Sequence, residues 1–140
     1  MSVTSEATTT WQGSLVEGSG SVAPASGIGT FPVDWKSRSE GGESTTTPEE
    51  LIAAAHSSCF SMALSNALAQ AGTPAESIRT TASVTFVPGT GVTGSHLNVS
   101  AVVPGLGDEQ FAELAEGAKT GCPISQALAG VEITLEATLG

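Results

Sequence analysis

The stretch from Pro48 to Ala75, PEELIAAAHSSCFSMALSNALAQAGTPA, decides the fold. It opens as a helix: Thr45, Thr46 and Thr47 offer hydroxyl caps, Pro48 suits the first helical position, and Glu49 and Glu50 meet the positive end of the helix dipole. Gly72 and Pro74 mark its end. From Leu51 to Ala75 there is no Asp, Glu, Lys or Arg, in a chain whose formal charge is -10. A helix on a protein surface shows a polar face, and here Ser, Asn, Gln and one His are all that could form one. Burial of this helix on every side is therefore expected, with Cys59 near its middle.

At 140 residues the chain is expected to form a single domain, residues 1–140, with enough length for a real core. Tyr is absent and aromatic residues are few, so Ala, Val, Leu and Ile must build that core. The charge of -10 argues against nucleic acid as a partner and against an anionic membrane surface. His56, Asn66, Gln70 and several serines make the neutral helix too polar for a lone membrane span. The N-terminal MSVTSEATTT lacks the basic start and apolar run of a secretory signal. A cytoplasmic, reducing location is expected, where a pair of cysteines is more often catalytic or redox-active than a structural staple.

Working outward from the helix, Thr8 to Ser21 reads as an edge hairpin of loose register, and Val22 to Gly29 as a loop. Phe31, Val33 and Trp35 alternate with Pro32, Asp34 and Lys36, the period of a half-buried strand, and Ser37 to Thr47 reads as a polar loop. Beyond the helix, Thr80–Val87 and Gly94–Val103 alternate apolar and polar residues about a Gly-rich turn, which predicts an antiparallel hairpin. Phe111, Leu114, Ala115 and Ala118 form one stripe of a helix from Glu109 to about Lys119. Gly121 stops it, Pro123 restarts a shorter helix through Ala129, and Val131, Ile133, Leu135 and Ala137 read as a last strand. The fold class is α+β, with helices against antiparallel sheet. A helix apolar all round has more to hide than one sheet face can cover, so a homodimer is expected.

Buried free cysteines usually act as small hydrophobes, and that reading applies first to Cys59. Two features weigh against it. The only other cysteine, Cys122, stands as the cap of a short helix in Gly121-Cys122-Pro123-Ile124-Ser125, and Glu49 lies ten residues before Cys59, close to three turns away on the same helix. A carboxylate there needs a cation, and Lys36, Arg38, Arg79 and Lys119 are the only four Lys or Arg residues. Read from the residues alone, Cys122 is the better nucleophile, because a helix N-terminus lowers a thiol pKa whereas apolar burial raises it. His56 could pair with Cys59 as in Cys-His hydrolases, but no Asn or Asp orienter accompanies it. Cys59, Cys122, His56 and His96 lack the close paired spacing of a zinc site, so neither metal nor cofactor is expected.

The run Thr47-Pro48-Glu49-Glu50-Leu51-Ile52-Ala53-Ala54-Ala55-His56-Ser57-Ser58-Cys59-Phe60-Ser61-Met62-Ala63-Leu64, with Ala118-Lys119-Thr120-Gly121-Cys122-Pro123-Ile124-Ser125-Gln126-Ala127-Leu128 far downstream, resembles the OsmC/Ohr family of thiol-dependent hydroperoxide reductases, and most closely its OsmC branch. The resemblance spans roughly residues 10 to 139. It implies an intertwined homodimer with each long central helix buried between antiparallel sheets and two active sites at the subunit interface. By the same likeness Cys59 matches the peroxidatic cysteine, Cys122 the resolving cysteine, Glu49 the acid of the family motif and Arg38 the catalytic arginine, with Lys36 and Arg79 as other cations that could serve. The implied activity is reduction of organic hydroperoxides, and less efficiently hydrogen peroxide, in oxidative or osmotic stress defence, with recycling by a dithiol reductant such as a lipoylated protein. A non-catalytic redox sensor or a carrier of small hydrophobic ligands is the alternative use of the same apolar interface.

Overall fold

The computed structural model describes residues 1–140, which divide into two compact units, Met1–Leu51 and Ile52–Gly140. In the first, β1 (Ala7–Gln12), β2 (Ser19–Pro24) and β3 (Phe31–Val33) form an antiparallel sheet in that order. The hairpin register is regular, from Ala7 opposite Pro24 to Gln12 opposite Ser19, so β2 claims the start of the expected loop and its pairing is not loose. After Val33 the sequence expectation fails. Helix α1 (Trp35–Glu40) replaces both the end of the predicted strand and the start of the predicted loop, because the Asp34 carboxylate caps it, accepting the Ser37 amide at 2.7 Å. Three alternating apolar residues are too short a pattern to distinguish a strand from a capped helix start.

Helix α2 (Pro48–Gln70) begins as predicted. Thr47 Oγ1 accepts the Glu50 amide at 2.9 Å, leaving Pro48 first in the helix. At the far end Gly72 adopts φ 85°, and the amides of Thr73 and Gly72 return to the carbonyls of Leu68 and Ala69. That double return needs a left-handed residue, which glycine supplies without steric cost.

The second unit adds β4 (Ser77–Val87), β5 (Gly91–Val102), α3 (Asp108–Gly121), α4 (Pro123–Ala127) and β6 (Glu132–Leu139), with sheet order β4-β5-β6. The predicted hairpin is β4 and β5, antiparallel. The last strand departs from the antiparallel expectation: β6 pairs with β5 in parallel. Parallel neighbours need a crossover of a dozen or more residues, and α3 with α4 supplies it. The core of this unit joins Phe60, Leu64 and Leu68, one helical stripe of α2, to Leu97, Val99 and Ala101 on alternate positions of β5 and to Phe111, Ala115 and Ala118 of α3.

Burial of α2 on every side is not achieved by one chain. The chain covers a single stripe, while Leu51, Ala55, Ser58, Met62, Ser65 and Ala69 face outward, Met62 at 73 % exposure. By length and composition alone α2 could also cross a membrane, and 22 % of its most apolar window is buried. The buried stripe sets the stability of the second unit. Phe60→Ala is expected to cost about 3–5 kcal/mol, because Phe60 is fully buried in the core cluster and its truncation leaves a cavity there. A lowered urea midpoint at unchanged slope is the measurement that checks it.

Candidate active site

Two clusters gather the sequence-predicted residues. In the first unit Arg38 of α1 meets Glu49, the second residue of α2. Its Nε donates to Glu49 Oε1 at 3.1 Å and Nη2 to Oε2 at 3.0 Å, a two-pronged pair that fixes the plane of the guanidinium. Glu49 is buried, while the Arg38 side chain keeps 33 % exposure. A cavity of about 320 Å³ beside it is lined by Trp11, Leu15, Trp35, Pro48 and Leu51 as well as Arg38. The other cations are placed differently: Lys36 and Arg79 are exposed, and Lys119 pairs with Glu116 at 2.6 Å.

In the second unit the two cysteines, far apart in sequence, are both free thiols, with Cys59 packed against the core cluster that contains Cys122. Cys59 reaches this point from the middle of α2. Cys122 is fully buried and occupies the joint between helices, ending α3 and opening α4 with Pro123 behind it. Burial pushes the Cys59 thiol up, and its hydrogen bond with Cys122 pushes the same way, against a smaller opposing pull from the Ile124 amide. Burial also acts to raise Cys122. There the hydrogen bonds from Cys59, from the Ser125 amide and hydroxyl and from the Ile124 amide together outweigh it, and the net direction is down.

His56, one turn before Cys59, is fully buried, and both ring nitrogens are taken by serines: Nδ1 lies 2.7 Å from Ser95 Oγ and Nε2 2.8 Å from Ser125 Oγ. The Cys-His pair considered from sequence is therefore not the arrangement formed. His96 instead meets Thr134 Oγ1 at 2.6 Å on β6. Sequence reasoning missed Ser95 and Ser125. Ser125 carried a signal, three residues after a helix-capping cysteine, whereas nothing local distinguishes Ser95 from the other serines of β5.

Residues 41–136 match the family described as OsmC-like protein, and the chain belongs to that family. It is 43 % identical over 130 residues to peroxiredoxin OsmC of Escherichia coli strain K12, covering 90 % of each chain. Among solved structures, an organic hydroperoxide resistance protein from Elizabethkingia anophelis matches with a TM-score of 0.72 at 29 % identity, over 100 % of this chain and 97 % of the other. OhrB of Bacillus subtilis, an organic hydroperoxide resistance protein, matches with a TM-score of 0.70 at 26 % identity, over 94 % and 97 %.

Proposed function

We propose that this protein is a thiol-dependent peroxidase that reduces organic hydroperoxides, and hydrogen peroxide less efficiently, in stress defence. Membership of the OsmC-like family and the 43 % identity to a peroxiredoxin support a peroxidase-type redox role. The observation that carries the finer reading is the packing of Cys59 against the core cluster that contains Cys122. In the proposed cycle the Cys59 thiolate attacks the peroxide oxygen, the O–O bond breaks, and Cys59–SOH forms while RO⁻ takes up a proton to leave as ROH. Cys122 then displaces the hydroxyl, giving a Cys59–Cys122 disulfide and water. A dithiol such as a lipoylated protein reduces that disulfide by exchange, and a reducing cytoplasm suits the cycle.

The raised Cys59 thiol requires a cation, and the Arg38–Glu49 pair is the one built for the task. In the proposed assembly the guanidinium that meets Cys59 comes from a second copy of the chain. The outward face of α2 supports that homodimer: Leu51, Ala55, Ser58, Met62, Ser65 and Ala69 recur every three or four residues, a seam of mostly small side chains that lets two helices approach closely.

Turnover is the test. With a dithiol donor in excess, cumene hydroperoxide consumption is expected to run far past one equivalent per chain. Its kcat/KM is expected to exceed that for hydrogen peroxide by about 10-fold or more, since burying an aromatic ring in an apolar cavity contributes roughly 1.5–3 kcal/mol. The raised Cys59 thiol of the single chain is what favours the second reading, a redox sensor or hydrophobic-ligand carrier; consumption that stops at one equivalent would put that reading in place of the enzyme.

A further inference from the structure

We propose that His56 is a positioning residue: by bridging Ser95 of β5 and Ser125 of α4, it ties the joint that carries Cys122 to the helix that carries Cys59, and so sets how readily the two sulfurs close into a disulfide. The use of that closure rests on the peroxidase reading, but the tie itself is read from side chains. All three residues are buried, and the ring spans the two hydroxyls at 2.7 and 2.8 Å.

An imidazole carries one hydrogen-bonding atom on each side of its ring. It therefore holds two partners in different directions at a fixed separation, whereas an amide gathers its polar atoms at one end. A hydroxyl can donate or accept, so both bonds are made in either tautomer of the neutral ring. Desolvation of a buried polar group offsets much of what such bonds return to stability. What a fully satisfied buried network supplies is a unique arrangement of the elements it joins.

The element arranged here is the α3–α4 joint. The Cys122 amide donates to the Ala118 carbonyl at 2.9 Å and the Cys122 carbonyl accepts the Gln126 amide at 3.1 Å, so the backbone of this cysteine is bonded to both helices. Helix α4 has only five residues, too few to be stable without tertiary support. Ser125, three residues past Cys122, fastens that turn to α2 through His56. On α2, His56 stands three residues before Cys59, which packs against the cluster that contains Cys122. Each end of the tie thus lies about one helical turn from a thiol.

The step served is Cys59–SOH + Cys122–SH → Cys59–S–S–Cys122 + H2O. The S–S bond forms as the S–O bond breaks, the Cys122 sulfur is oxidised and the sulfenic sulfur reduced, and the departing hydroxide takes the Cys122 proton to become water. The reaction is intramolecular, so it follows the effective concentration of one sulfur at the other, which falls when their orientation is loosened.

That effective concentration is measured without peroxide. Reduced protein is equilibrated with glutathione, and the Cys59–Cys122 dithiol passes two electrons and two protons to oxidised glutathione, giving the protein disulfide and two reduced glutathiones. His56→Leu and Ser125→Ala are each expected to lower the constant about 10-fold, and the double variant no further, because both cut the same tie. Ser95→Ala, which leaves Ser125 joined to His56, is expected to lower it less. Leu68→Val, a loosened core position farther along α2, is expected to lower the urea midpoint and leave the constant unchanged. Should His56→Leu fail to fold, His56→Gln takes its place in the cycle, with a smaller loss. A constant unmoved by His56→Leu, losses that add in the double variant, an equal loss in Leu68→Val, or a wild-type protein that forms no disulfide in glutathione each overturn the tie. A wild-type protein that forms the disulfide in glutathione yet no sulfenic acid with cumene hydroperoxide overturns the peroxidase reading instead, and the constants still decide the role of His56.

Discussion

Cys59→Ser is expected to remove hydroperoxide turnover, by a factor on the order of 10³ or more, while Cys122→Ser consumes one equivalent and stops as a persistent sulfenic acid. The contrast follows from the roles proposed for the two sulfurs. One must break the O–O bond, and the other must arrive afterwards. Within one chain the electrostatics favour the opposite order, since Cys122 holds more donors and its thiol is lowered while that of Cys59 is raised. Accessibility favours Cys59, which is partly exposed, over Cys122, which is buried. A guanidinium brought to Cys59 reverses the electrostatic order, because an adjacent cation stabilises the thiolate and the departing alkoxide together. Trapping the sulfenic acid with dimedone and locating it by mass spectrometry checks the assignment; a trapped Cys122 in the Cys59→Ser protein exchanges the two roles.

Arg38→Ala is expected to lower kcat/KM by about 10²–10³, the usual cost of removing one preorganised donor from a site where negative charge develops. The same variant tests where the cation comes from. If each site draws Cys59 from one chain and Arg38 from the other, mixing Arg38→Ala with Cys59→Ser restores activity that neither has alone. A freely exchanged equal mixture contains half mixed dimers, each with one complete site of its two, so about a quarter of wild-type activity should return. A pair confined to one chain restores none. Glu49→Ala should resemble Arg38→Ala in a milder form, because it frees the guanidinium from its two-pronged hold without removing it.

The central helix and its neighbours were legible because their signals are local and redundant. Thr47, Pro48 and the acidic pair announce the start of α2, Gly72 its end, and alternation along β4 and β5 predicts the hairpin that forms. The packing of Cys59 against the cluster that contains Cys122 was legible only through motif resemblance, since no local pattern reports how such distant positions pack. Helix α1 was missed because one capping carboxylate, Asp34, outweighed the alternation of Phe31, Val33 and Trp35. The parallel β5–β6 pairing was missed because strand direction is set by the path of the crossover and not by the strand's own residues. The serines around His56 escaped notice for a related reason: a hydroxyl gains its meaning from what folds against it.

The outward face of α2, with Met62 at 73 % exposure, has a bearing on life at low abundance. In the proposed homodimer that face is covered, and mass action would then couple the native population to the total amount of protein present, so that a midpoint of unfolding rising with protein concentration is the expected result.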